Sequence, residues 1–116
     1  MEITNKKIAL FIDFDNFNNK DYFKILIEEL EQMGTILYKG AFYTNTQDSS
    51  IKEKALEYGI TDFIIEPSYS SGKNAVDIRI ALDVSEMMYY KDYIDCFCLA
   101  TNDLDFAPIL KKIKIK

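Results

Sequence analysis

Five consecutive apolar residues, Ile8-Ala-Leu-Phe-Ile12, run directly into Asp13-Phe-Asp-Asn16. In an extended segment alternate side chains point to opposite faces. An unbroken apolar run therefore does not suit a sheet with one face in water. The pattern predicts a short strand, buried on both faces, that closes in a polar loop. Such a strand needs helices above and below it, and a parallel sheet with crossover helices supplies them.

The rest of the chain continues the alternation. Asn18 or Asn19 is placed to cap a helix in which Tyr22, Phe23, Ile25, Leu26, Ile27, Leu30 and Met33 recur at helical spacing, with Gly34 as its stop. Thr35 to Tyr43 is β-branched and aromatic and reads as a second strand. Ser50-Ile-Lys-Glu53 has the form of a capping box and opens a short helix that Gly59 ends. Thr61 to Glu66 reads as a third strand, stopped by Pro67. Ala75 to Tyr90 reads as a third helix, apolar on more than one side and so expected to be well buried. Asp95 to Ala100 reads as a fourth strand, and Phe106 to Ile113 as the start of a fourth helix. The expected fold is an α/β three-layer α-β-α sandwich on a central parallel sheet of four strands, with right-handed crossovers. The first strand should be central and next to the fourth.

Length and composition bound the function. A chain of 116 residues is one domain, here residues 1–116. Lys and Arg number 14 against 19 Asp and Glu, a net charge of −5 that disfavours nucleic-acid binding through bulk positive charge but suits recruitment of cations. Histidine is absent, which removes Ser-His and Cys-His catalysis and imidazole metal ligands. Cys96 and Cys98 are poorly placed to bridge along one strand and read as buried thiols. No stretch has the roughly 20 apolar residues of a membrane span. No cleavable leader is recognisable, so the cytoplasm is the expected location.

In parallel α/β sheets, ligands bind outside the carboxyl ends of the strands. Two predicted loops at that edge carry paired acids, Asp13 and Asp15 after the first strand and Asp103 and Asp105 after the fourth. Asp77 falls in the first turn of the third helix, at the same edge. Oxygen ligands without His or Cys suit Mg²⁺ or Mn²⁺, and a divalent cation relieves the repulsion between clustered carboxylates. The competing reading takes each acid as a turn former, a cap or a favourable charge at a helix N-terminus. Asn16 is either a turn residue or a group orienting Asp13. Thr101 and Asn102 are candidates for phosphate contact or plain loop hydrogen bonding. Asp83 lies six residues beyond Asp77, off its helix face, and reads as peripheral.

These stretches resemble the NYN domain of the PIN-like nuclease superfamily. Ile8-Ala-Leu-Phe-Ile-Asp-Phe-Asp-Asn16 resembles the family's first strand, which ends in Asp-x-x-Asn. Lys73-Asn-Ala-Val-Asp-Ile-Arg-Ile-Ala-Leu-Asp83 resembles its middle motif, and Ala100-Thr-Asn-Asp-Leu-Asp-Phe-Ala-Pro-Ile-Leu110 its Ser-Gly-Asp-x-Asp-Phe-x-Pro signature. The resemblance implies a Mg²⁺- or Mn²⁺-dependent ribonuclease whose catalytic and metal-binding acids are Asp13, Asp77, Asp103 and Asp105, with Asn16 beside them. Asn74 stands where the family often has Gly, and Thr101-Asn102 replaces Ser-Gly. The family usually continues through a Gly-Lys turn to a fifth strand, so the resemblance also implies a sheet cut short before that strand.

Lys73, Arg79 and the lysines Lys111, Lys112, Lys114 and Lys116 are candidate phosphate contacts, weighed against plain surface charge. Tyr43 and Tyr69 are candidate base-stacking residues, weighed against core packing. Single-stranded RNA is the expected partner. A second copy of the chain and a further C-terminal domain are open, and a membrane is not expected. Two other functions compete. One is a non-catalytic module of the same fold that binds RNA or protein. The other is a haloacid-dehalogenase-like phosphatase, since Asp13-Phe-Asp15 resembles that nucleophile motif.

Overall fold

The computed structural model describes residues 5–14, 20–43, 49–65, 75–101 and 109–114. Strand β1 (Lys6–Asp13) is followed by helix α1 (Lys20–Glu31), β2 (Gly34–Tyr43), α2 (Ser49–Glu57), β3 (Asp62–Ile65), α3 (Ala75–Tyr90), β4 (Cys96–Thr101) and β5 (Ile109–Lys114). The sheet order is β3-β2-β1-β4-β5. β1 lies parallel to β2 on one side and to β4 on the other, as the sequence predicts. β3 pairs parallel with β2.

Strand β1 divides the core. Ile8, Leu10, Ile12 and Phe14 face one side with Phe23, Leu26, Ile27 and Leu30 of α1 and Ala55 of α2. Ala9 and Phe11 face the other side with Phe42, Phe97 and the α3 residues Val76 and Ile80. The α-β-α layering follows from this two-sided burial. Asp95 ties the strand's start to β4. Its carboxylate accepts the Lys7 N–H at 2.9 Å, and its own N–H donates to the Lys7 carbonyl at 2.8 Å.

Local features explain the register. β2 carries a bulge, for Ile8 pairs with Ile36 while Ala9 pairs with Tyr38. The extra residue, Leu37, is exposed, and the step moves Tyr38 onto the α3 face while Ile36 packs on the α1 face. Helix α2 ends as expected at Gly59, whose φ of 82° is the left-handed conformation glycine adopts freely. The Ile60 N–H donates to the Ala55 carbonyl and the Gly59 N–H to the Leu56 carbonyl, the paired bonds of a Schellman cap. α2 begins at Ser49, one residue before the expected cap Ser50.

Four expectations need correction. Gly34 is not a helix stop but the first residue of β2, where a Cβ would strike the backbone of Lys6. Phe106 to Ile113 does not start a fourth helix. Ile109–Lys114 forms β5, antiparallel to β4, with Ile113 opposite Phe97 and Leu110 opposite Ala100. Ile109, Leu110 and Ile113 fit a helical period, but the open edge of β4 offers a full ladder of backbone partners, and tertiary pairing overrides the local pattern. The sheet therefore does have a fifth strand. Helix α3, finally, is not well buried: Ile78, Leu82, Tyr89 and Tyr90 are exposed. Asn18 and Asn19 lie outside the described residues.

Phe11 is 1% exposed, with the rings of Tyr38, Phe42 and Phe97 centred 5.2, 5.7 and 6.3 Å away. Truncating it removes the contact that joins β2, β1 and β4 on the α3 face. Phe11→Ala is expected to lower unfolding free energy by about 3–5 kcal/mol in urea titrations, whereas Ile25→Ala at an exposed α1 position stays within about 0.5 kcal/mol.

Candidate functional site

The carboxyl end of the central strand holds a buried acid. Asp13 is 5% exposed and pairs in register with Phe42 of β2. The next residue, Phe14, donates its N–H to the Phe42 carbonyl at 2.8 Å, so the backbone is held on both sides of the carboxylate. The Phe14 ring anchors the turn, stacked on Phe23 and edge-on to Tyr43 and Phe63. Alternation from Ala9 and Phe11 puts Asp13 on the α3 face.

Thr101 closes β4 on the same face and is also 5% exposed. Its hydroxyl donates to Asp13 Oδ2 at 3.4 Å, a long bond across adjacent strands. Asp77 lies in the first turn of α3, the helix that covers this face. The crossover from β3 to β4 brings the start of α3 to the carboxyl edge of the sheet. Asp13, Thr101 and the backbone position of Asp77 thus share one face at one edge. The Asp77 side chain is not described, and Asp15, Asn16, Lys73, Asn102, Asp103 and Asp105 lie outside the described residues. Among the described residues no three His, Cys, Asp or Glu side chains gather into a metal-binding group.

The structure gives several other candidates ordinary partners. Arg79 Nε donates to Asp83 Oδ1 at 3.1 Å, one helical turn on, so both belong to an ion pair on α3. Tyr43 is half-buried against Phe14 and packs with the core rather than standing free to stack a base. Tyr69 lies outside the described residues. Lys111, Lys112 and Lys114 fall on β5, and Lys116 lies outside the described residues. Cys96 and Cys98 are buried free thiols with sulfurs 3.7 Å apart. No described helix is long and apolar enough to cross a membrane.

The sequence reading passed over Tyr38. It packs with the α3-side core, and its hydroxyl lies over Gly40, where a Cβ would collide with it. Burial, then the charges of Asp62 and Asp83, push its phenol up from 10.0 to about 12, against the opposing pull of Arg79. A glycine two residues along one strand face from a tyrosine was the only sequence signal for this arrangement.

In open α/β sheets ligands bind outside the carboxyl ends of the strands, at the switch in strand order, and Asp13 is buried at that end of the central strand. The NYN domain family matches residues 7–116, and the chain belongs to that family, within the PIN-like nuclease superfamily. It is similar to the uncharacterized protein MJ0482 of Methanocaldococcus jannaschii, 28% identical over 111 residues. That alignment takes in 93% of this chain but 43% of the relative, so the chain spans less than half of that protein's length. No solved structure matches.

Tyr38 also sets a pH dependence. Its proton is held more tightly in the folded chain, so the unfolded chain ionises first as pH rises past about 10. The stabilisation is complete below that value and is lost as pH climbs toward about 12. The urea midpoint should fall over this window, and Tyr38→Phe should flatten the fall.

Proposed function

We propose that this chain is a metal-dependent ribonuclease that hydrolyses RNA phosphodiester bonds at the edge marked by Asp13. The observation that carries the reading is the buried Asp13 carboxylate beside Thr101 at the carboxyl end of the central strand, in a chain of the NYN family. A carboxylate with little access to water is costly unless it has compensating partners. A donor set of carboxylate and hydroxyl oxygens, in a chain without histidine, suits Mg²⁺ or Mn²⁺. The residues present therefore fit such an ion, with Asp13, Asp77, Asp103 and Asp105 as its holders.

When bound, the ion supplies charge to the scissile phosphate and lowers the pKa of the attacking water. The chain's own residues do the positioning. The β1–β2 pairing fixes Asp13, and the Thr101 hydroxyl holds one of its carboxylate oxygens. Thr101 ends β4 two residues before Asp103 in the sequence, which supports a role for Asp103 and Asp105 beside Asp13. Asn16, Asp15 and Asn102 are the flanking groups, and Lys73 the phosphate contact. Arg79 is engaged by Asp83, which weakens its case for that role. Family membership favours this reading over a haloacid-dehalogenase-like phosphatase.

The test is Mn²⁺-dependent cleavage of single-stranded RNA, read alongside thermal melting. Loss of a group that merely orients a metal ligand costs about 10–100-fold, so Asp13→Asn should lower cleavage by more than about 100-fold. Mn²⁺ at about a hundred times its Kd should stabilise the native protein by about 2.7 kcal/mol and leave Asp13→Asn nearly unmoved. Equal cleavage by both proteins would expose a contaminating nuclease. A Mn²⁺ shift and RNA binding without cleavage would leave the non-catalytic module.

A further inference from the structure

We propose that Lys111 holds a phosphate of the RNA strand next to the scissile one, at the margin of the sheet where β4 meets β5 beside α3. The contact rests on the ribonuclease reading above and gives that substrate a second point of attachment, away from the acids.

Charge is unevenly distributed along the chain. Residues 106–116 carry four lysines and no acid, while the remainder carries ten basic residues against 19 acids. Most of the surface therefore repels a polyanion, and attraction is concentrated on this short basic stretch. Its described part, β5, is the last strand of the sheet and runs antiparallel to β4.

Register sorts these lysines by face. Residues directly opposite each other in an antiparallel pair share a face. Lys111 is opposite Leu99, Lys112 opposite Cys98 and Lys114 opposite Cys96. Leu99 packs with the α3-side core, and Cys96 and Cys98 belong to the α1-side core. The position of Lys111 is therefore on the face of Asp13 and Thr101, and those of Lys112 and Lys114 are on the other. Lysines of the other described strands are placed elsewhere. Lys6 and Lys7 begin β1 at the opposite edge, and Lys39 extends to Gly59 at the end of α2.

The face is open at this point. β4 is buried along its length except at Leu99, the residue opposite Lys111. Helix α3 packs mainly over β1 and β2, which leaves Leu99 at the margin of the helix rather than under it. A partly exposed leucine beside an ammonium suits a nucleotide, whose sugar and base offer apolar surface and whose phosphate carries the charge.

The spacing also fits. Ile109 is opposite Thr101, and Thr101 reaches Asp13 on the neighbouring strand. Lys111 thus lies two strands over from Asp13 and two residues inward, which at sheet spacings sets the two Cα atoms about 12 Å apart. The flexible stem of lysine narrows that gap, so phosphates at the two residues belong to one short stretch of a single strand. Lysines on an edge strand also discourage pairing with other strands, but that role does not depend on the face they occupy. A phosphate contact beside Asp13 does.

Binding of a labelled single-stranded RNA of about twelve nucleotides, read by fluorescence anisotropy before cleavage develops, tests the contact. Lys111→Gln should weaken binding about fivefold and reduce the steepness of log K against log salt by about 0.7, the loss of one phosphate contact. Lys111→Arg should keep wild-type values, and Lys112→Gln, on the other face, should stay within about twofold. In the cleavage assay Lys111→Gln should raise KM rather than lower kcat. An RNA with one neutral methylphosphonate linkage beside the cleaved bond tests the same contact without altering the protein. It should bind wild type about fivefold more weakly and lose nothing further with Lys111→Gln. Unchanged affinity and salt slope in Lys111→Gln would overturn the proposal, as would equal losses in Lys111→Gln and Lys112→Gln, the mark of diffuse charge. Cleavage insensitive to Lys111 would overturn this contact alone. Binding that depends on Lys111 without any cleavage would overturn the ribonuclease reading and keep the contact.

Discussion

Six consecutive side chains of β1, from Ile8 to Asp13, are buried, and only a sheet covered on both faces can hold them. At about 25 cal/mol per Å² of apolar surface, this strand and its neighbours supply the dominant stabilising term of a small domain. The helices follow from it. α1 and α2 cover Ile8, Leu10 and Ile12, while α3 covers Ala9 and Phe11. The bulge at Leu37 serves the same division by moving Tyr38 to the α3 side.

The strand that builds the core also delivers an acid to its end. Asp13 continues the alternation of Ala9 and Phe11, so the geometry that buries Phe11 also buries the carboxylate. Pairing with β4 places Thr101 across from it, and the β3-to-β4 crossover brings the start of α3 to the same edge. Asp13 and Thr101 thus belong to the body of the sheet, where position is held better than on loops alone.

The two sides of the sheet are treated differently. One side is covered by two helices whose exposed residues are mostly charged, with Ile25 and Leu56 among them, the other by a single described helix with several apolar residues both inside and out. Val76 and Ile80 account for its inward face and have no need of Ile78, Leu82 or Tyr89. An apolar outer stripe on a 16-residue helix costs solubility unless something covers it.

Much of this was legible in the residues themselves. The unbroken run of Ile8–Ile12 determined a doubly covered strand, and the alternation of strand and helix patterns determined the parallel body; the adjacency of β1 and β4 was an expectation that the sheet order bears out. The Asp13, Asp77 and Asp103-x-Asp105 motifs marked the family. Periodicity reports which faces are apolar but not what covers them. Ile109–Lys114 fitted a helix until the open edge of β4 supplied backbone partners. The two-sided α3 read as deeply buried because its sequence does not distinguish core from an uncovered face. Arg79 was legible as a free cation, and only the turn of the helix paired it with Asp83. Gly34 read as a helix stop because the approach of Lys6 is a contact across 28 residues of sequence. Local pattern determined the elements. Edge pairing, close backbone approach and the choice of face were decided by tertiary structure, because each depends on residues distant in the chain.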